Sequence, residues 1–343
     1  MRDASEDSGH NLWGRSASRR GLMRGAVLGG ALATASVLPA GTSLAAGLTD
    51  GESPYGGGPV AATHSSAFAT ALLNRFFRAK SARDPQAAMS FFAPGATTYI
   101  DATVGWSFTT WQSLYDLFAS YMPNWPASGA SYMTRIVGGD TGAIVFFTNA
   151  AGVFGSSEIR AAAVVDIRGG RVERWVDYWD GRHFGTAETD ALRLPGDQWP
   201  ADFREKTVGE RAHPRMRRTV EALAQALRNG DAAALARLFS ADVTFEDLTS
   251  HVVVRGRRSA VAYLTGGGQR PPGAAADLVV RHTVGSAVGG GYEWLATSGP
   301  VHRGLVALEL DRQGAVSRFT SVWDGSLVSA SVLTSLAVRA IEE

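Results

Sequence analysis

The sequence predicts an α+β fold built twice, and three observations carry that prediction. The first is internal self-similarity. The segment from Val164 to Trp175 aligns without gaps with Leu308 to Phe319, and the match runs on into Trp179-Asp180-Gly181 and Trp323-Asp324-Gly325. Upstream, Asp84 to Phe92 matches Asp231 to Phe239, and Thr98 to Thr103 matches Thr244 to Thr249. The second observation is the order of signals in each copy, with helical periodicity first and β-rich runs after it, which is the α+β arrangement. The third is a Gly-Gly hairpin signal at Arg168-Gly169-Gly170 between two such runs.

The elements follow in order. Ser65 or Ser66 caps a helix whose apolar positions Phe68, Ala71, Leu72, Phe76 and Ala79 keep the 3.6 period. Asp84-Pro85 starts a second, short helix, because proline suits the first helical turn. A short strand over Thr97 to Thr103 and a helix over Thr110 to Met122 come next. The β-rich runs are Tyr132 to Val137, Ala143 to Asn149, Ile159 to Ile167 and Arg171 to Asp180. In each half the expectation is a strongly curved antiparallel sheet wrapped around N-terminal helices. The glycine runs Gly56 to Gly58, Gly266 to Gly268 and Gly289 to Gly291 read as flexible loops.

Of the 343 residues, 45% are hydrophobic and 19% charged, which excludes global disorder and suffices for two domains of ordinary size. Net charge is +1, so the basic excess of a dedicated nucleic-acid binder is missing. With no cysteine, disulfides, thiolate metal sites and cysteine nucleophiles are excluded. Residues 1–46 read as a targeting segment: Ser18-Arg19-Arg20-Gly21-Leu22-Met23-Arg24, an uncharged run from Ala26 to Leu38, then small residues around Ser43-Leu44-Ala45. This resembles a twin-arginine signal, which implies export and a mature protein outside the cytoplasm. The uncharged run is too short for a membrane span. The expected division is a signal at 1–46, a flexible linker at 47–63, a first domain at 64–186, a linker at 187–213 and a second domain at 214–343.

On these residues both halves resemble the SnoaL-like, ketosteroid-isomerase-like superfamily that also holds nuclear transport factor 2 and limonene epoxide hydrolase. The resemblance implies two cone-shaped domains, each with an apolar pocket, packed as an intramolecular pseudo-dimer. It implies a cofactor-independent enzyme acting by acid–base chemistry on a hydrophobic small molecule, of the polyketide cyclase, isomerase or dehydratase kind. Epoxide opening is the alternative among enzymes, and a non-catalytic carrier of an apolar ligand is the alternative from another class.

Strand alternation puts Tyr99, Asp101 and Thr103 on one face, and Trp175, Asp177 and Trp179 on another. Ala96 to Gly105 resembles the ketosteroid isomerase segment whose aspartate is the base, which falls on Asp101. Trp175 to Asp180 resembles the limonene epoxide hydrolase segment whose aspartate activates water, which falls on Asp177. Tyr99 matches that enzyme's water-binding tyrosine, and Phe147-Thr148-Asn149 replaces its Arg-Thr-Asp run, leaving Asn149 to bind a substrate oxygen. Two carboxylates close together in an apolar pocket split their titrations, so that one serves as base and the other as acid. Against this, Asp101 also reads as a strand-end aspartate satisfied by backbone amides.

Trp106, Trp111, Phe147, Trp175 and Trp179 are the expected apolar lining. The second half keeps Asp247 and Glu246 but has Ser321 where the first has Asp177, and Glu293 is a spare carboxylate there. Asp180 and Asp324 precede glycine and read as turn residues. No phosphate-cradling loop, nucleophile elbow or metal-spaced histidine motif is present.

Overall fold

The computed structural model describes residues 59–200, 211–268 and 270–342. The segment read as an export signal, the glycine run Gly56 to Gly58 and part of the linker lie outside them. Each half begins with two capped helices. In the first half Ser66 caps α1 (Ala67–Ser81) by accepting from the Ala69 amide at 3.1 Å, and Asp84 caps α2 (Pro85–Met89) by accepting from Ala87 at 2.9 Å. In the second half Pro214 opens α6 (Pro214–Asn229), and Asp231 caps α7 (Ala232–Leu238) with the same 2.9 Å bond to Ala234. The paired aspartate caps fix the repeat in space as well as in sequence.

The first half continues with β1 (Thr98–Asp101), β2 (Trp106–Phe108), α3 (Trp111–Tyr121), β3 (Ser131–Gly139), β4 (Gly142–Asn149), β5 (Ile159–Arg168) and β6 (Arg171–Trp179). Two short helices, α4 (Gly181–Phe184) and α5 (Thr186–Leu192), lead into the linker. The second half repeats the plan with β7 (Phe239–Asp247), β8 (Val252–Arg255), α8 (Arg257–Thr265), β9 (Val279–Gly285), β10 (Gly289–Leu295), β11 (Arg303–Leu310) and β12 (Val316–Trp323). Helix α9 (Ala330–Glu342) follows them. The strand orders are β2-β1-β6-β5-β4-β3 and β8-β7-β12-β11-β10-β9.

The structure departs from the sequence expectations in four places. The sheets are mixed, because β1 runs parallel to β6 and β7 parallel to β12, with the other ladders antiparallel. The buried stripe of α1 is Ala69, Leu72, Leu73, Phe76, Phe77 and Lys80, one position round from the expected one, and Phe68 is exposed. Gly289 to Gly291 are strand, not loop. They lie where the halves meet, and a Cβ on Gly289 would stand 2.1 Å from the His64 carbonyl oxygen. Finally, the gapless repeat alignment slips by one residue along β5 and β11. Asp177 faces Ala163 across its ladder and Ser321 faces Val306, so the β11–β12 hairpin holds one residue more between these paired positions than the β5–β6 hairpin.

Each sheet has two uses. One face covers the helices of its own half, giving two separate apolar cores. The other face packs on its counterpart, where Ile100, Val164, Val176 and Tyr178 meet Val284, Leu305, Ala307 and Val322. Bulges at Met133/Arg135 and Glu293/Trp294 break the registers near the outer strands, which bends the strands that carry them. The expected intramolecular pseudo-dimer is thus the arrangement of the two halves, and the structure adds that they meet sheet to sheet.

Candidate active site

The first half's inner face holds a pocket between α1, α3 and the sheet. β1 and β6 lie side by side in parallel register, so Tyr99 sits beside Trp175 and Asp101 beside Asp177. Alternation turns Ile100 and Val176 to the other half and these four residues inward. The lining comprises Tyr99, Asp101, Asp177, Trp179, Trp106, Phe147 and Asn149, joined by Lys80 and Tyr121. The room it leaves for water is about 40 Å³. Leu192, from α5, closes one side, and its carbonyl accepts from the Trp106 indole at 2.8 Å.

Asp177 is the most constrained of these groups. One carboxylate oxygen accepts a short hydrogen bond from the Tyr99 hydroxyl, and the other accepts from the Trp175 indole at 2.6 Å. Trp175 stacks on Tyr99 with ring planes 10° apart and is enclosed by Phe76, Phe77 and Phe147, so both donors are held rigidly. Burial raises the Asp177 pKa to about 6, partly opposed by the bonds from Tyr99 and Trp175 and by the charge of Lys80.

Asp101 accepts from the Trp179 indole at 3.0 Å and from the amides of Thr103 and Val104 at 3.0 and 3.2 Å. Its pKa is raised to about 7, by burial first and by the charge of Asp177 second. Burial also raises Tyr99 and Tyr121 far above the ordinary phenol range, so both stay protonated donors.

Lys80 is the residue that the sequence reading missed. It is 3% exposed, lies over the Phe147 ring at 5.6 Å, and donates to the Asn149 side-chain oxygen at 3.4 Å, which also accepts from Ser131 at 2.7 Å. Burial lowers its pKa to about 8 against the pull of Asp177 and Asp101. A signal for it existed. Lys80 falls three and four residues after Phe77 and Phe76, on the buried stripe, and it is one of only two lysines beside 31 arginines. Tyr121 was legible in the same way, seven residues after Leu114 and three after Phe118 on the buried face of α3.

Other expected site residues lie elsewhere. Trp111 does not reach the pocket; it stacks on Tyr115 and donates to the Met89 carbonyl. Trp175 acts from behind the wall as the donor that orients Asp177. Glu246 points to the interface, where it pairs with Arg135 of the first half at 3.3 Å. Glu293, with no exposed surface, pairs with Arg174 and accepts from Tyr178 at 2.6 Å across the same interface. Both alternate with inward-facing neighbours on their strands, so one step of register separates a pocket carboxylate from an interface one. Asp180 and Asp324 are turn residues as read, each capping the residues after it, and Asp324 also accepts from the Gly181 amide of the first half.

Repeat symmetry sorts the remaining groups. Asp247 repeats the hydrogen bonds of Asp101, accepting from the Trp323 indole and the Thr249 and Ser250 amides. The rest is lost together. Phe245 and Ser321 occupy the ladder positions of Tyr99 and Asp177, and Leu227 stands four residues before its capping aspartate, as Lys80 does. Trp294 lies over Gly304, whose added Cβ would be 2.5 Å from the indole. The Pro272–Ala274 turn brings Gly273 beside the same ring and beside Ser321. Among the described residues, no group of three or more His, Asp or Glu side chains is gathered as metal ligands.

Residues 220–326, within the second half, match the family model described as a SnoaL-like domain. No curated protein matches the chain. Among solved structures, a hypothetical protein with a ketosteroid isomerase-like fold from Catenulispora acidiphila, in complex with trimethylamine, shares 16% identity. It covers 36% of this chain and 97% of its own, with a TM-score of 0.31. A nuclear transport factor 2-like protein of unknown function from Cytophaga hutchinsonii shares 11% (33% and 89% covered, TM-score 0.28). A protein provisionally named as a polyketide cyclase from Sinorhizobium meliloti shares 20% (31% and 92% covered, TM-score 0.27).

Proposed function

We propose that the first half is an acid–base enzyme acting on an apolar small molecule, with Asp177 as the proton-accepting group, and that the second half is its structural partner. The observation that supports this best is the joint presence of Lys80, Tyr99 and Asp177 around one pocket, and their joint replacement by Leu227, Phe245 and Ser321 in the second half. Asp101 keeps its bonds in both halves, so its amide and indole partners serve the fold. In the first half its raised pKa lets it also hold the proton that Asp177 gives up. Tyr99 and Trp175 fix the carboxylate of Asp177, and Trp106, Phe147 and Trp179 exclude water and receive the apolar body of the substrate. Isomerisation, cyclisation and dehydration all need this set: a base beside a carbon acid, and donors beside an oxygen.

A second reading, water addition to an epoxide, is favoured by Asn149, whose oxygen is held by Ser131 and Lys80 at the pocket wall. One experiment addresses both. The protein is incubated with a hydrophobic extract of its source organism in ¹⁸O-labelled water, and the compounds are followed by mass spectrometry. Conversion that falls about 10²–10⁴-fold in Asp177→Asn is the expected result. Label in a newly formed hydroxyl identifies the hydrolytic reading, whereas no label, or label confined to a carbonyl oxygen that exchanges with water, identifies the rearrangement reading. A compound bound and released unaltered by both proteins would replace the enzyme with a carrier.

A further inference from the structure

Lysine is almost absent from this chain. Of its 33 basic residues only Lys80 and Lys206 are lysines, so arginine meets nearly every need for a fixed positive charge. The two side chains are not interchangeable: a guanidinium stays charged, whereas a buried amine sheds its proton and becomes a nucleophile. Lys80 is 3% exposed and lines the pocket together with two carboxylates and two phenols. Its neighbours do not hold it as a salt bridge would. It meets the amide oxygen of Asn149 at 3.4 Å and the face of Phe147 at 5.6 Å. The matched position in the second half is Leu227, so the fold itself has no use for an amine there.

We propose that Lys80 captures the carbonyl carbon of an apolar ketone or aldehyde as an imine, making the substrate class of this pocket a carbonyl compound. The inference deepens the reading of the first half as an acid–base enzyme and rests on it. The neutral amine adds to the carbonyl carbon, forming a C–N bond, while the π pair moves to oxygen and takes a proton to give a carbinolamine. The C–O bond then breaks and oxygen leaves as water with a second proton, so that carbonyl plus amine gives imine plus water. Asp101, raised to about 7, is an acid for these steps. The protonated imine draws electrons from the adjacent C–H, and Asp177 accepts that proton to leave an enamine, which reacts on and is returned to free lysine by hydrolysis. No oxidant or other co-reactant is needed.

The test uses the full chain with 1-phenylbutane-1,3-dione, an apolar diketone that condenses with amines to a stable, ultraviolet-absorbing enaminone. Lys206 and the N-terminal amine serve as internal references, and peptide mass mapping assigns the adduct. The expected result is one adduct per chain, on Lys80, formed at least about tenfold faster than on Lys206 and rising with pH through about 8. Lys80→Met, which replaces a buried amine with an apolar chain of similar length, is expected to fold and to lose that adduct. Asp177→Asn is expected to keep it, because the nucleophile remains.

Labelling of Lys80 no faster than of Lys206 would overturn the imine. If conversion of a natural substrate then survives in Lys80→Met but not in Asp177→Asn, the imine alone has failed and the acid–base reading stands. If conversion survives in both variants, that reading has failed as well.

Discussion

At the scale of single residues, the pocket is a place where ionised groups are held at a cost. Asp177 titrates at about 6 in the folded chain, above an unfolded aspartate near 3.9. Below about pH 4 both states are protonated and the full stability is present. As pH rises through about 6 the buried carboxylate ionises and stability is lost, on the order of 1 kcal/mol for each unit of the shift. Asp177→Asn removes that loss. Its melting temperature relative to the parent is therefore expected to be greater at pH 8 than at pH 4, measured by thermal unfolding at both. A difference that shrinks with rising pH would show that Tyr99, Trp175 and Lys80 stabilise the ionised form by more than burial penalises it.

At the scale of elements, the interface strands carry a buried charge network. Arg174 on β6 is 2% exposed and bridges Asp166 on β5 to Glu293 on β10, while His282 on β9 donates to Asp166 at 2.8 Å. Burial would raise Glu293, but Arg174, Arg303 and His282 hold it well below the usual carboxylate range. Removing Arg174 alone leaves two buried carboxylates with only His282, Tyr178 and Arg303 to offset them, so Arg174→Met is expected to cost about 3–5 kcal/mol in denaturant unfolding. Adding Asp166→Asn and Glu293→Gln should recover most of it, and a triple variant as unstable as the single one would contradict this account.

The same strands show what the sequence could and could not say. The repeats, caps and hairpins were legible because local chemistry writes them, as in Asp84-Pro85 and Arg168-Gly169-Gly170. Tyr99, Asp101 and Asp177 were legible because alternation places them on inward faces. The roles of Glu246 and Glu293 were not, since alternation tells which residues share a face but not whether that face meets a helix or another sheet. Lys80 was passed over because a lysine near a helix end normally reaches for solvent, and only its place on the Phe76–Phe77 stripe betrays it.

At the scale of the whole molecule, duplication has separated two tasks under the proposed function. The second half keeps what the fold needs, the capping aspartate Asp231 and the Asp247–Trp323 clamp, and brings the turn at Gly273 beside Trp294 and Ser321. The first half keeps the same clamp and adds a pocket with Lys80, Tyr99 and Asp177. Among the described residues, no helix is long and apolar enough to cross a membrane. The central claim is that this asymmetry is chemical, with a coupled pair of carboxylates in one half and a lone one in the other. Carbon-13 NMR titration of the aspartate carboxylates, assigned with Asp101→Asn and Asp177→Asn, tests it most directly. The account predicts two first-half carboxylates titrating near 6 and 7, with the Asp101 value falling once the Asp177 charge is removed. Two carboxylates titrating independently in the ordinary range near 4 would contradict it.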